Sequence, residues 1–362
     1  MSHILLACGG TGGHLAPGIA LAQRLSQEGH DCLLMVSGKA VDAQMTAKYQ
    51  RLKFVVGRGR GFGPGLKNKI KFFPAFIGSL VSAWRLISHY RPHVLVCFGG
   101  FMSLAPALVC AWRGIPVLVH EANRRPGKAV RLIARFATSV HLPVGVRLGG
   151  VPAERQQDSG FPVRQEITPS AREVARHAIG IPTQGRMLFI TGGSQGAKIL
   201  TRWVENHLAD FAERGIHVLC LTGSGGLEKE VRTPHSVVRF QSFCHQMGSA
   251  YSAADLAITR AGAGTLAELA TCRTPSILIP YALAADNHQA ANADYFVEVG
   301  AALLCSEKHV SELARHVFEL LSDNSRLATM RDALAMLDAT NRWEEIYHET
   351  VKRAKAQEEL RS

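Results

Sequence analysis

The stretch Cys8-Gly9-Gly10-Thr11-Gly12-Gly13-His14 follows the apolar run His3 to Ala7 and precedes a helical pattern over Leu15 to Gln27. Strand, glycine turn and helix start form an arrangement that cradles phosphate. The first backbone N–H groups of a helix have no partner within it, and the helix dipole favours negative charge there. A second loop repeats this grammar in mid-chain, where Met187 to Thr191 leads into Gly192-Gly193-Ser194-Gln195-Gly196-Ala197-Lys198. One such loop in each half predicts two nucleotide-fold domains facing a cleft.

Working outward, short apolar runs alternate with helical patterns. Cys32 to Val36, His93 to Phe98 and Pro116 to His120 read as strands in the first half. His217 to Thr222, Leu256 to Thr259 and Ser276 to Pro280 read as strands in the second. Continuous apolar strands between helices predict parallel sheets covered on both faces, with ligands beyond the strands' carboxyl ends. Gly9–His14, Gly99–Ser103 and His120–Asn123 then share one rim. Gly/Pro-rich stretches at 149–152 and 158–162 read as a linker. The expected domains are 1–162 and 163–340, with a charged amphipathic helix over 341–362 that would pack back on the first.

The 362 residues suit two domains with real cores, and 47% hydrophobic with 19% charged content is ordinary for a globular chain. The net charge of +12 is uneven. Residues 1–92 carry 12 Lys or Arg against 3 Asp or Glu, and residues 93–362 carry 29 against 26. A basic first quarter suits nucleic acid, anionic lipid or a phosphorylated substrate, or is simply a solvated face. Eight scattered cysteines without a C-x-x-C pair predict reduced, buried thiols rather than disulfides or zinc. Met1-Ser2-His3 running straight into a strand predicts no cleavable leader, and no apolar run is long enough to span a membrane.

Residues 57–92 depart from the alternation. A glycine and arginine loop over 57–65 is followed by Lys67, Lys69 and Lys71. Phe73, Ile77, Leu80, Trp84 and Ile87 then recur at helical spacing. That stripe is either core or an amphipathic face that dips into a membrane beside a basic collar.

The first loop is not a dinucleotide fingerprint, because its third glycine position falls on Leu15. Gly262-Ala263-Gly264-Thr265-Leu266-Ala267 comes nearer, with Asp286 about 20 residues on. Arg260 before it and Glu268 after it suit a different ligand: Glu268 for ribose hydroxyls, the loop N–H groups for phosphate. No Asp-x-Asp pair occurs, which fits a leaving diphosphate held by backbone N–H groups, helix dipole and arginine rather than metal. No metal site is expected. His14 is the favoured general base, since imidazole titrates near operating pH, and Glu121 is its rival. Arg164 at the domain junction suits a diphosphate. Ser194 and Gln195, and the amide-rich run 286–293, suit phosphate and sugar hydroxyls.

In order and spacing, these motifs resemble the MurG family, the peptidoglycan N-acetylglucosaminyltransferases of the GT-B fold. The residues that carry the resemblance are Gly9–Pro17, Gly99–Ser103, His120-Glu121-Ala122-Asn123, Pro162-Val163-Arg164, Gly192–Ala197, Arg260–Thr265 with Glu268, and Asp286–Gln289 with Asn292-Ala293. The chain departs from the family pattern at Ala122, usually glutamine, and at Leu104, usually glycine.

The resemblance implies an inverting, metal-independent enzyme that needs no cofactor. It would move N-acetylglucosamine from UDP-N-acetylglucosamine to the 4-hydroxyl of undecaprenyl-pyrophosphoryl-N-acetylmuramoyl-pentapeptide, in peptidoglycan synthesis on the cytoplasmic face of the plasma membrane. His14 would be the base. Donor contacts would come from Thr11, Gly12, Gly13, Asn123, Arg164, Ser194, Gln195, Cys244, the segment Ala263, Gly264, Thr265, Leu266, Ala267, Glu268, and His288 with Gln289. Gly99, Gly100 and Ser103 would serve the acceptor, and Lys67, Lys69, Lys71, Ile77, Leu80 and Trp84 the anionic membrane. Nucleic acid is not an expected partner. Another GT-B transferase acting on a glycolipid, or a non-catalytic anion-binding module, are the competing readings.

Overall fold

The computed structural model describes residues 1–9, 12–57, 66–193, 196–282 and 285–361. The chain divides into two compact units, Met1–Arg164 with Asn341–Ser362, and Gln165–Thr340.

The first unit is built on seven strands: β1 (His3–Ala7), β2 (Asp31–Val36), β3 (Lys53–Val56), β4 (Val94–Cys97), β5 (Val117–His120), β6 (Ser139–Leu142) and β7 (Gln156–Asp158). They lie in the order β3-β2-β1-β4-β5-β6-β7, and every pairing is parallel. Side chains alternate across the sheet, so each face makes its own core. Ile4, Leu6, Val94 and Val96 pack with Leu15, Ile19 and Leu25 of the Gly12–Gln27 helix. Leu5, Ala7, Leu95 and Cys97 pack on the other side with Ile87, Ala107 and Ile133.

The second unit repeats the plan with β8 (Arg186–Thr191), β9 (Ile216–Leu221), β10 (Lys229–Arg232), β11 (Val237–Gln241), β12 (Leu256–Thr259), β13 (Ser276–Leu278) and β14 (Ala302–Leu304). The order is β10-β11-β9-β8-β12-β13-β14, parallel except for β10 against β11. Without β10 and β7, both sheets follow the doubly wound order 3-2-1-4-5-6. The predicted α/β class with two Rossmann-like units is therefore the observed one.

Residues 341–362 belong to the first unit. Ile346, Tyr347 and Ala354 of the Glu344–Glu359 helix enter the same apolar layer as Ile4 and Leu15. The helix also holds the chain start, since Glu358 accepts from the Met1 ammonium at 3.1 Å and from Ser2 Oγ at 2.8 Å. Arg361 donates to the carbonyls of Arg91 and Pro92 at 3.0 and 2.9 Å.

The Leu66–Tyr90 helix resolves the ambiguous stripe into two faces. Ile87 is fully buried and Leu80 packs half-buried on the core, whereas Ile77, Val81 and Trp84 are exposed. Trp84 meets the exposed Trp112 with ring centroids 5.0 Å apart, and the Arg113 guanidinium lies 5.0 Å from the Trp84 ring. The side chains of Lys67, Lys69, Lys71 and Phe73 lie outside the described ones. All eight cysteines are free, and all but the half-buried Cys272 are buried. Burial pushes thiols such as Cys110 and Cys220 up to about 12, so they stay protonated and inert. Among the described residues, no helix is long and apolar enough to cross a membrane.

Candidate active site

In a doubly wound sheet, the ligand crevice opens where the strand order reverses. In the first unit that point lies between the ends of β1 and β4. Gly9 leaves β1 so close to the next turn that a Cβ there would stand 2.4 Å from Met102 Cε. His14, in the first turn of the Gly12–Gln27 helix, is half-buried with its ring against Gly99 and Gly100. A Cβ on Gly99 would lie 3.2 Å from His14 Nε2, and one on Gly100 3.4 Å from Nδ1. Both glycines have left-handed backbones, φ +98° and +73°, which other residues adopt only with strain. Ser103 is fully buried. Its hydroxyl bonds the carbonyls of Gly99 at 2.7 Å and Ala7 at 3.3 Å, tying the two strand ends together. That geometry makes Ser103 a fastener of the His14 platform. Gly10 and Thr11 lie outside the described residues, Gly12 opens the helix and Gly13 is exposed.

Glu121 follows β5 and is buried. Oε1 accepts from the Asn123 backbone N–H at 2.8 Å and from Asn123 Nδ2 at 2.9 Å; Oε2 accepts from Gly127 N–H at 2.8 Å. Three donors converge on one carboxylate, so it organises the 121–127 loop and orients Asn123. Burial holds His120 and His141, neighbours across β5 and β6, well below the usual imidazole range, at about 4 and about 3. They are neutral sheet-interior groups. Arg164 ends the continuous part of the first unit, with Nη1 donating to Tyr49 Oη at 3.3 Å.

In the second unit the order reverses between β8 and β12. Gly196 (φ +69°) passes so near the loop after β9 that a Cβ would stand 2.0 Å from Thr222 O. Gly193 N–H bonds Thr191 Oγ1 at 3.3 Å. Ser194 and Gln195, both expected at the donor, lie outside the described residues.

After β12, Gly262 caps the Ala263–Thr271 helix, whose first turn carries no acidic residue. Leu266 N–H is the first to bond back, to Gly262 O at 3.0 Å, so the N–H groups of Ala263, Gly264 and Thr265 precede the ladder. Three free donors and an uncompensated dipole make an anion seat. The Leu266 side chain faces the core, Ala267 is half-buried, and Glu268 is buried with Oε2 accepting from Tyr251 O–H at 3.1 Å.

Arg260 is turned into the fold. It donates to Ile279 O at 3.0 Å, pairs with Glu307 and stands over the Tyr281 ring. The amide-rich segment braces the same rim. Asn292 Nδ2 donates to Ala261 O at 3.1 Å, and Gln289 Oε1 accepts from Tyr281 N–H at 2.9 Å. Asp286 and Asn287, both left-handed, turn the chain into the His288–Glu298 helix, where His288 is half-buried. Cys244 is buried just after β11. Among the described residues, no group of three His, Cys, Asp or Glu side chains could hold a metal ion.

Sequence reasoning passed over Tyr49, Tyr251 and Asn341. Tyr49 bonds Arg164, Tyr251 bonds Glu268 and Asn341 bonds the Phe161 backbone, and nothing local to any of the three is unusual.

The chain matches known proteins over nearly its whole length. Residues 4–142 match the glycosyltransferase family 28 N-terminal domain, and residues 187–346 the family's C-terminal domain. The UDP-N-acetylglucosamine--N-acetylmuramyl-(pentapeptide) pyrophosphoryl-undecaprenol N-acetylglucosamine transferase of Opitutus terrae is 41% identical over 347 residues, spanning 94% of this chain and 92% of the relative. The enzyme of the same name from Parasynechococcus marenigrum is 34% identical, over 94% and 97% of the two chains. Among solved structures, Acinetobacter baumannii MurG superposes with a TM-score of 0.71 at 22% identity, over 97% of this chain and all of that one. The spinosyn rhamnosyltransferase SpnG reaches 0.69 at 15% identity, over 97% and 100%. Both share the GT-B fold.

Proposed function

The chain belongs to glycosyltransferase family 28, among its peptidoglycan N-acetylglucosaminyltransferases, and on that premise we propose how its two rims divide the reaction. The enzyme transfers N-acetylglucosamine from UDP-N-acetylglucosamine to the muramoyl 4-hydroxyl of undecaprenyl-pyrophosphoryl-N-acetylmuramoyl-pentapeptide. The observation that carries the reading is His14, a titratable ring fixed on a glycine platform at the switch point of the first sheet.

His14 accepts the proton of the muramoyl 4-hydroxyl as its oxygen bonds the anomeric carbon. The bond from that carbon to the UDP phosphate breaks on the opposite face, the configuration inverts, and a β-(1→4) link results. The leaving diphosphate gains negative charge as the bond breaks. The N–H groups of Ala263, Gly264 and Thr265 stabilise it at a helix start that lacks acidic residues. Arg164 adds a cation, and Glu268 faces the ribose. With no Asp-x-Asp pair in the sequence, this charge stabilisation replaces a divalent metal. Glu121 positions Asn123 and does not carry the proton.

The first unit also supplies the membrane contact. Between Asp42 and Glu121 the sequence has eleven Lys or Arg and no Asp or Glu. Ile77, Val81, Trp84 and Trp112 are exposed in this same stretch. A basic, apolar surface suits peripheral binding to an anionic cytoplasmic leaflet.

The test mixes the protein with UDP-N-acetylglucosamine and detergent-solubilised muramoyl-pentapeptide lipid. The expected result is one UDP released per disaccharide lipid formed. Transfer to a diacylglycerol instead would redirect the reading to another glycolipid enzyme. Ligand binding without UDP release would leave only an anion-binding module.

A further inference from the structure

The chain leaves the first unit after Arg164 and re-enters it at Asn341. Within that unit the outgoing and returning segments are bound to each other. Asn341 Oδ1 accepts from Phe161 N–H at 2.8 Å, and Asn341 Nδ2 donates to Phe161 C=O at 3.1 Å. One amide side chain thus satisfies both backbone groups of one residue, as a neighbouring strand would. Gly160 leaves room for it, because a Cβ there would stand 1.6 Å from Asn341 Oδ1.

The Gly160 carbonyl is held as well, accepting from His120 Nε2–H at 2.9 Å. The His120 ring stands between those of Phe98 and Phe161, with centroids 5.5 and 6.2 Å away. Three residues beyond Phe161, the guanidinium of Arg164 rests on Tyr49 Oη. The segment 160–164 is therefore fastened at both ends, by Asn341 with His120 at one and by Tyr49 at the other.

We infer that Asn341 is a positioning residue for Arg164. The inference rests on the proposed role of Arg164 at the donor diphosphate. A long arginine side chain is useful to a phosphate only when its backbone anchor is fixed. Otherwise binding must supply the cost of ordering it. Asn341 supplies that anchor from 177 residues downstream, outside any motif. Its loss loosens the segment without removing any group that touches a substrate.

The experiment is a double-mutant cycle on the full-length enzyme, with UDP-N-acetylglucosamine varied against saturating lipid acceptor. Asn341→Ala should raise the donor KM about five- to tenfold with kcat within about twofold, the scale of a lost preorganised contact. In an Arg164→Ala background the same change should shift KM by less than about twofold, because the group it positions is gone. Gly160→Ala, which drives a methyl onto Asn341 Oδ1, should reproduce the single-mutant effect. Asn341→Asp keeps the acceptor for Phe161 N–H and loses the donor, so it should fall between. It also serves as the test if the alanine variant does not fold.

A normal donor KM in Asn341→Ala, or in Asn341→Asp should the alanine variant not fold, overturns this inference alone if Arg164→Ala raises KM. Full additivity of the two changes does the same, since it marks a general structural role. A normal KM in Arg164→Ala removes the diphosphate contact, and this inference with it.

Discussion

The two units use one strand order and one glycine-loop grammar, yet their rims are equipped differently. On the first, side chains dominate. A histidine ring lies on two left-handed glycines, a carboxylate gathers three N–H donors, and an arginine is propped on a tyrosine. On the second, backbone dominates. Three N–H groups open a helix whose first turn has no acidic residue, and nearby side chains (Arg260, Gln289, Asn292) brace loops. In the proposed mechanism, a duplicated scaffold separates proton transfer, which needs a titratable side chain, from charge stabilisation, which fixed dipoles perform.

The sharpest way to break this contrast is to remove one element from each rim. His14→Ala is expected to lower kcat by about 10² to 10⁴ while UDP affinity, read by calorimetry, stays within a few fold. Unchanged turnover would take the base away from the first rim. Glu268→Ala should do the reverse, raising the donor KM about 10- to 100-fold, the scale of hydrogen bonds to a charged group, with a smaller change in kcat. If kcat alone fell, the division of labour would be wrong.

Glu121→Gln sharpens the same point. A carboxylate that only holds a loop should cost about tenfold in kcat/KM when its charge is lost, and leave the pH–rate profile in place. Disappearance of the acidic-limb ionisation would make Glu121 the base.

The buried histidines give a smaller, pH-dependent effect on the first unit. Their folded pKa values, about 4 for His120 and about 3 for His141, lie below the unfolded value of about 6.5. The unfolded chain therefore binds protons first. The stability these neutral rings provide is complete above pH 6.5 and falls as pH drops through 4 and then 3. The slope is roughly 1.4 kcal/mol per pH unit for each histidine. Thermal melts from pH 7 to 4 should show it, and His141→Leu should flatten it.

The smallest effect on solution turnover belongs to Ile77→Glu with Trp84→Glu. Both side chains are exposed, so the melting temperature should barely move while sedimentation with anionic vesicles is lost. A protein that unfolds instead would show that this face is core.

The parts legible in the sequence are those where chemistry is local. Glycine at 99, 100 and 196 is demanded by positive φ and close backbone approach, and buried parallel strands must be apolar throughout. The edge strands β7 and β10 were not legible, because Gln156–Asp158 and Lys229–Arg232 have no apolar pattern. The stripe from Phe73 to Ile87 could not be assigned because one spacing serves a buried edge and an exposed one at once. At Glu121 the sequence shows a carboxylate and not the three donors that converge on it. Asn341 gave no signal, since its partner is 180 residues away.

The Glu344–Glu359 helix has a consequence for biosynthesis. Ile346, Tyr347 and Ala354 complete the layer that Ile4 and Leu15 begin, so that layer waits for a helix encoded beyond the whole second unit. The 176 residues of the second unit are made in between, over about 10 to 35 s at a ribosome speed of roughly 5–20 residues per second. Throughout that interval one face of the first sheet lacks the part of its cover that Ile346, Tyr347 and Ala354 supply, while the second unit, continuous in sequence, can close as soon as it emerges. The later-encoded unit is therefore free to close before the first is complete.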